Sequence, residues 1–351
     1  MQASQAWPKV AIIILNWNGW RDTIECLESV EALTYPNYEV ILVDNGSVDD
    51  SVARIRDWVM DRLDRWGPVQ GVSEAPRDTL PLGTEVVLAT GKLTMIRSGE
   101  NQGFAGGCNL AIDFALAGDP SVEFVFLLNN DAKMEPDCLT ACMAAAVKED
   151  AVIVGAVIKS EDGKQVISAG SRFPVELFWT AQLRSCSGNQ ESWVVDRVEG
   201  AAMLIRSEFL KRRKQELGYF LNPLLFMYGE ELELCIWAKR RGLKVVVAGQ
   251  AVVRHRLTAS SGGSGSPTAY YYITRNRVHL ARQLLRGRTR FLFHTWYPVS
   301  RLCRAAQLAF QGRNQVAAAI VQGLIDGYRG VYGLWNHHPQ PGQAGGTECQ
   351  R

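Results

Sequence analysis

Over the first 160 residues, short runs of consecutive apolar residues alternate with stretches in which apolar residues recur every three or four positions. Val10–Leu15 (VAIIIL) is such a run, read as a strand buried on both faces and broken by Asn16-Trp17-Asn18-Gly19. Asp22 with Glu25 three residues on resembles a capping box, and Ile24, Leu27 and Val30 give a helical stripe. Glu39–Val43 is the second strand, ended by Asp44-Asn45-Gly46-Ser47, and Val52, Ile55, Val59, Leu63 and Trp66 line one face of the next helix. Residues 67–92 are punctuated by Pro and Gly and read as an irregular surface excursion. Leu93–Ile96 is a strand, and the glycine-rich Asn101–Gly107 (NQGFAGG) leads into a helix over Asn109–Leu116. Val122–Leu128 is a strand stopped by Asn129-Asn130-Asp131, Pro136–Val147 a helix and Ala151–Ile158 a further strand.

Strands alternating with helices predict an α/β fold, a mostly parallel Rossmann-like sheet covered on both faces. Ligands of such sheets bind beyond the carboxyl ends of the strands. Asn16, Asp44 and Asn129 to Asp131 all fall at those ends, with Asn101 and Gly103 in the glycine-rich turn. The second half is less regular. Residues 160–195 read as strands and loops, a helix is predicted from Leu234 to Arg241 with Gly242 as its stop, and Lys244–Ala248 as a strand. Thr258–Pro267 reads as flexible, residues 269–330 as Arg-rich helices, and 336–351 as a disordered tail. The expected organisation is an α/β domain over 1–260, in two halves of about 8–150 and about 151–260, followed by a helical region over 261–335.

Charge divides the chain. Residues 234–351 hold two acids against 17 Lys and Arg, a net +15, whereas residues 1–233 sum to −13. The basic third suits an anionic partner or is simply a solvated surface. The eight cysteines contain no CxxC pair, which argues against a zinc or disulfide framework and for buried thiols in a reducing cytosol. No apolar run approaches the ~18–20 residues of a membrane helix, and no basic start precedes an apolar stretch at the N-terminus, so no cleaved leader is expected.

Four clusters could carry chemistry. Asn129-Asn130-Asp131 places a carboxylate beside amide oxygens at a strand end, which suits Mg²⁺ or Mn²⁺ with substrate phosphates, or else forms a capped turn. Glu230, Glu231 and Glu233 crowd three carboxylates into four residues, so one could serve as a general base, or all three could sit at the electropositive start of a helix. His255, between Arg254 and Arg256, reads as a metal or phosphate contact or as structural. The glycine turn permits close backbone approach to a ligand, but its spacing is not GxGxxG, and no P-loop, HExxH or GxSxG is present.

Taken in order, VAIIILNWNGW (10–20), YPNYEVILVDNGSVDDS (35–51), GENQGFAGGCNLAI (99–112), FVFLLNNDAKMEPDCL (124–139), VEGAAMLIR (198–206), FMYGEELELCIWAKRRGLKVVVAGQAVVRH (226–255) and YYYITRNR (270–277) resemble the family 2 inverting glycosyltransferases of the GT-A type, most nearly the bacterial rhamnosyltransferase-like enzymes of cell-surface polysaccharide synthesis. The resemblance implies transfer of a sugar from a dTDP- or UDP-sugar to a hydroxyl of a glycan or polyprenyl-linked acceptor. By that likeness Asp131 and His255 contact the metal, Mg²⁺ or Mn²⁺, although Asn129 replaces the usual first acid. Asp44 meets the base of the nucleotide, and Asn16, Asn101, Gly103, Asn129 and Asn130 line the donor pocket. Glu231 is the base, with Glu230 as its fallback, and Arg275 and Asn276 close over the diphosphate with 258–268 as a lid. A degenerate, non-catalytic relative or a nucleotidyltransferase is the alternative. For 291–335, where Arg mixes with aromatic residues, the pattern suits peripheral contact with an anionic membrane, the inner face of the plasma membrane on this reading, or packing against the catalytic domain or a second subunit of a homodimer. No recognition motif supports a nucleic-acid partner.

Overall fold

A computed structural model describes residues 7–70, 80–172, 181–183, 191–256 and 265–335. The chain forms two compact units, one up to Arg256 and one from Leu257. Most of the expected lid, part of 160–195 and the tail after Trp335 lie outside the described residues.

The first unit runs β1 (Lys9–Asn16), α1 (Trp20–Glu31), β2 (Tyr38–Asp44), α2 (Ser51–Met60), the single turn α3 (Leu63–Trp66), β3 (Glu85–Ala89), β4 (Leu93–Arg97), α4 (Gly103–Gly118), β5 (Val122–Asn129), β6 (Ala132–Met134), α5 (Cys138–Glu149) and β7 (Ala151–Lys159). It continues with β8 (Val166–Ser168), β9 (Ser171–Arg172), β10 (Ala181–Gln182), β11 (Ser192–Val194), β12 (Ala202–Arg206), α6 (Ser207–Leu217), α7 (Glu230–Lys239) and β13 (Lys244–His255). The main sheet has the order β11-β13-β7-β12-β5-β1-β2-β4-β3, with β6 on β13 and β8 on β7. β5, β1, β2 and β4 are mutually parallel, β7 and β13 are parallel to each other, and β12 joins the two groups by antiparallel pairing to β5 and β7.

The strands carry apolar residues on both sides because helices cover both faces. Ile12, Ile14 and Leu42 pack beneath α1, α2 and α5, while Ala11, Ile13, Ile41 and Val43 pack against α4, α6 and α7. Within the stretch read as irregular, Glu85–Ala89 is an antiparallel edge strand on β4, where its apolar residues are half or fully buried. The pairing Asn16↔Asp44 and Leu15↔Asn129 brings the carboxyl ends of β1, β2 and β5 level, at one edge of the sheet.

The second unit consists of α8 (Pro267–Leu284), α9 (Gly287–Phe310) and α10 (Asn314–Arg329). Ser266 caps α8 by accepting from the Ala269 N–H at 3.1 Å, with Pro267 supplying the fixed φ of a first helical residue. Tyr271 ties α8 to α10 through a 2.7 Å hydrogen bond to Asp326 and stacks on Trp335. No helix among the described residues is long and apolar enough to cross a membrane. The described cysteines are free thiols; Cys26, Cys108, Cys138, Cys142 and Cys235 are buried, and Cys303 is exposed.

Candidate functional site

The ends of β1 and β2 are tied together by side chains. Asn16 donates from Nδ2 to Asp44 Oδ2 at 2.7 Å and accepts at Oδ1 from the Thr23 hydroxyl at 2.8 Å. The other Asp44 oxygen accepts from the Ser47 N–H at 3.0 Å, and Asn130 Nδ2 donates to Thr23 at 3.0 Å. Asn16 and Asp44 are fully buried. Asn45 extends the network by donating to the Gly103 carbonyl at 3.0 Å and to Asn101 Oδ1 at 3.2 Å, while its own oxygen accepts from the Gln102 N–H. The expected pocket residues Asn16, Asp44, Asn101, Gly103 and Asn130 therefore sit in one connected polar network, to which Thr23, Asn45 and Ser47 also belong.

Gly103 opens α4 with φ +72, and a Cβ there would stand 2.4 Å from the Phe226 carbonyl oxygen. That oxygen accepts from the Ala105 N–H at 3.2 Å, so the chain before α7 rests on the first turn of α4. The resting segment is distorted. Phe226 has φ 66 and ψ −62, and the Met227 N–H donates to the Leu225 carbonyl at 2.8 Å, a γ-turn of the rarer hand. Tyr228 at φ 65 and Gly229 at φ 105 follow at once. Positive φ at two aromatic residues costs on the order of 1–3 kcal/mol each and persists only where surrounding contacts impose it. Here the segment delivers Glu230 and Glu231 to the start of α7, four residues earlier than the helix predicted from Leu234.

The two glutamates point differently. Glu231 accepts from the Gly229 N–H at 3.1 Å, stands 3.5 Å from Arg197 Nη1, and is partly exposed. Arg197 is held by Glu199 at 2.6 Å and by paired backbone hydrogen bonds with Ser171. Glu230 is buried, and its Oε2 has no hydrogen-bond partner among the described residues. Burial, with Glu231 adjacent, pushes its carboxyl well above the usual range. Glu233 is occupied elsewhere, in a buried pair with Arg213 at 2.8 Å that Tyr219 supports.

On the opposite side, the pairing of His255 with Ala132 between β13 and β6 sets His255 Nε2 2.8 Å from Asp131 Oδ1, with Asn129 Nδ2 3.4 Å from the same nitrogen. Arg256 donates its backbone N–H to the Asp131 carbonyl, while its guanidinium reaches Asp22, Glu25 and Glu161. Among the described residues no three His, Cys, Asp or Glu side chains form a metal-holding group. Asp131 and His255 are two donors in contact, and a divalent cation that also binds substrate phosphates and water needs no more from the protein.

One short segment borders both halves. The Asn129 N–H donates to the Ala201 carbonyl at 3.0 Å, and a Cβ on Gly200 would lie 3.5 Å from Glu231 Cβ. Arg275 and Asn276 belong to the second unit. The Arg275 guanidinium is fully buried there, donating to Asn276 Oδ1 and the Gly333 carbonyl and lying over Tyr272. Arg197 and Thr23 carry no motif of their own in the sequence; Glu199 and Asn45 were visible only as members of the VEGAAMLIR stretch and of the polar Asp44–Ser47 turn.

The model of a family described as "Glycosyltransferase like family 2" matches residues 8–277. A low-salt glycan biosynthesis hexosyltransferase, Agl10 of Haloferax volcanii, is 26% identical over 151 residues, 43% of this chain and 47% of the relative, so the match spans about half of that protein. Among solved structures, a mannosyltransferase of Pyrobaculum calidifontis in complex with GDP-Man and Mn²⁺ superposes with a TM-score of 0.56 at 15% identity, covering 92% of this chain and 88% of that one. GalNAc-T7 with UDP, GalNAc and Mn²⁺ gives 0.55 at 15% identity over 84% and 51%. TarS 1–349 of S. aureus with UDP-GlcNAc gives 0.53 at 15% identity over 92% and 81%. At these identities the structures establish a shared GT-A fold.

Proposed function

This protein belongs to the family 2-like glycosyltransferases and is a glycosyltransferase; from that premise we propose that it transfers a hexose from a nucleoside diphosphate sugar to an acceptor hydroxyl in one inverting displacement, with Glu231 as the base. The observation that carries this reading is the Gly200–Ala201 segment, which borders Glu231 on one side and the Asn129–Asp131 turn on the other. A base and a diphosphate site on either side of so short a segment suit an activated sugar between them.

The nucleotide lies over the network of Asn16, Asp44, Asn45 and Asn101, with its diphosphate toward the Asn129–Asp131 turn; Gly103 makes room for Phe226 rather than for the ligand. Asp131 and His255 would hold Mg²⁺ or Mn²⁺, which when bound offsets charge on the leaving diphosphate. Glu231 accepts the proton of the acceptor hydroxyl as that oxygen attacks the anomeric carbon, and the nucleoside diphosphate leaves from the opposite face. Inversion follows from the single displacement, and no enzyme nucleophile takes part. The Gly229 N–H and Arg197 fix the base. Glu230, buried and with a raised pKa, is the poorer candidate for that role.

The structural relatives with GDP-mannose, UDP and UDP-GlcNAc support a nucleoside diphosphate sugar as donor. Rhamnose from dTDP-rhamnose rests on the sequence resemblance alone, as does a glycan or polyprenyl-linked acceptor. The test is release of nucleoside diphosphate and glycosylated product across a panel of GDP-, UDP- and dTDP-sugars with Mn²⁺. Glu231→Gln should retain nucleotide binding by calorimetry and lose transfer by a factor of at least ~100. Unchanged turnover would move the base elsewhere.

A further inference from the structure

Among the described residues, helix α9 presents a largely apolar face without a partner. Phe291, Thr295, Val299, Leu302, Ala306 and Phe310 follow one another at the three- and four-residue steps that share a helix face, with Leu292 beside the first. All seven are exposed, Phe291 at 68% and Phe310 at 94%. The opposite face, with Phe293, Tyr297, Ala305 and Leu308, is buried. Isolated exposed apolar residues are ordinary on a protein surface, but a stripe running the length of a 24-residue helix is an interaction face.

Charge decides what it meets. Residues 265–335 contain ten arginines and one acid, Asp326, whose carboxylate is taken up by Tyr271 and Gln322. Arg286, Arg288 and Arg290 are exposed around the first turn of α9, where the helix dipole disfavours cations and the turn itself holds no acid. A second copy seated on this face would bring arginine against arginine. A nucleic acid would meet the arginines but leave the apolar stripe facing phosphate. An anionic lipid surface answers both features, with acyl chains for the stripe and headgroup phosphates for the arginines.

We propose that the exposed face of α9 docks on an anionic bilayer, its apolar stripe at the acyl boundary and its N-terminal arginines among the headgroup phosphates. The proposal rests on α9 alone and is independent of the transfer reaction, so each can fail without the other.

The test is flotation of the full chain with vesicles of phosphatidylcholine, alone and mixed with phosphatidylglycerol. The protein should bind the mixed vesicles and not the neutral ones. Arg288→Gln with Arg290→Gln should weaken binding roughly 25-fold, about fivefold per arginine. Phe291→Ser with Leu302→Ser should abolish the binding that persists in high salt, with an unchanged circular dichroism spectrum and unchanged nucleotide binding. Equal binding to neutral vesicles, an apolar double variant that binds as the parent does, or a dimer that this variant splits on light scattering would each overturn the proposal. Binding lost entirely to salt and competed by RNA would assign the arginines to a polyanion instead, and would overturn it too.

Discussion

Arg197→Met removes a cation in contact with the proposed base. In the parent, Arg197 Nη1 stands 3.5 Å from Glu231 and Nη2 2.6 Å from Glu199, with the side chains of Arg197 and Glu231 only 11% and 13% exposed. At an effective dielectric constant near 20, a pair at that separation interacts by about 5 kcal/mol. Arg197 divides its charge between two carboxylates, and Glu199 is partly in solvent, so about 2 kcal/mol at Glu231 is a reasonable fraction. At about 1.4 kcal/mol per factor of ten, losing the contact that fixes Glu231 should lower the transfer rate roughly 30-fold. Removing the cation that lies between two carboxylates should also destabilise the fold by about 3–5 kcal/mol. Transfer rates at saturating donor, with thermal denaturation of the same samples, separate the effects. Arg197→Lys, which restores the charge without the planar fork, should return the rate most of the way and stability only in part. A folded Arg197→Met enzyme that transfers as fast as the parent would refute the argument, whatever its stability.

Glu230→Gln should flatten the stability–pH curve. Because the folded chain holds the Glu230 proton more tightly than the unfolded chain does, the parent loses stability as pH rises above the ordinary carboxylate range. The variant should therefore gain on the parent between pH 5 and 9, by about 1–3 kcal/mol at the upper end and nothing at pH 4, read by thermal denaturation across pH. Gly103→Ala should cost about 3 kcal/mol, part from φ +72 and part from a methyl group 2.4 Å from the Phe226 oxygen, measured by denaturant unfolding. Because the methyl group displaces the chain that delivers Glu231, turnover at saturating donor should fall as well.

The sheet was largely legible because its strands are buried on both faces. β1 and β7 stand out as apolar runs, and β2 and β5 as apolar runs entered past a single glutamate. Two helix starts were not. α4 begins at Gly103, among glycines whose low helix propensity hides it, and α7 begins on Glu230 and Glu231, which the sequence left either as a base cluster or as the electropositive start of a helix placed from Leu234. β3 is short and framed by Gly and Pro, so it read as loop. The convergence of Asp131 with His255, 124 residues apart, depends on antiparallel pairing of β6 with β13. No local pattern encodes that pairing, and the family likeness named both residues without saying that they touch. Arg197 had neither pattern nor likeness. Its place follows only from the bridge to Ser171 and from the loop that brings Glu231 across.

The contact between the start of α4 and the γ-turn at Phe226 makes two loops mechanically interdependent. Transplanting residues 99–107 alone would therefore displace the chain that leads to Glu231, the proposed base. Chimeras should exchange 99–107 and 222–231 as a matched cassette, and libraries that randomise either stretch by itself will be rich in variants that fail through the other.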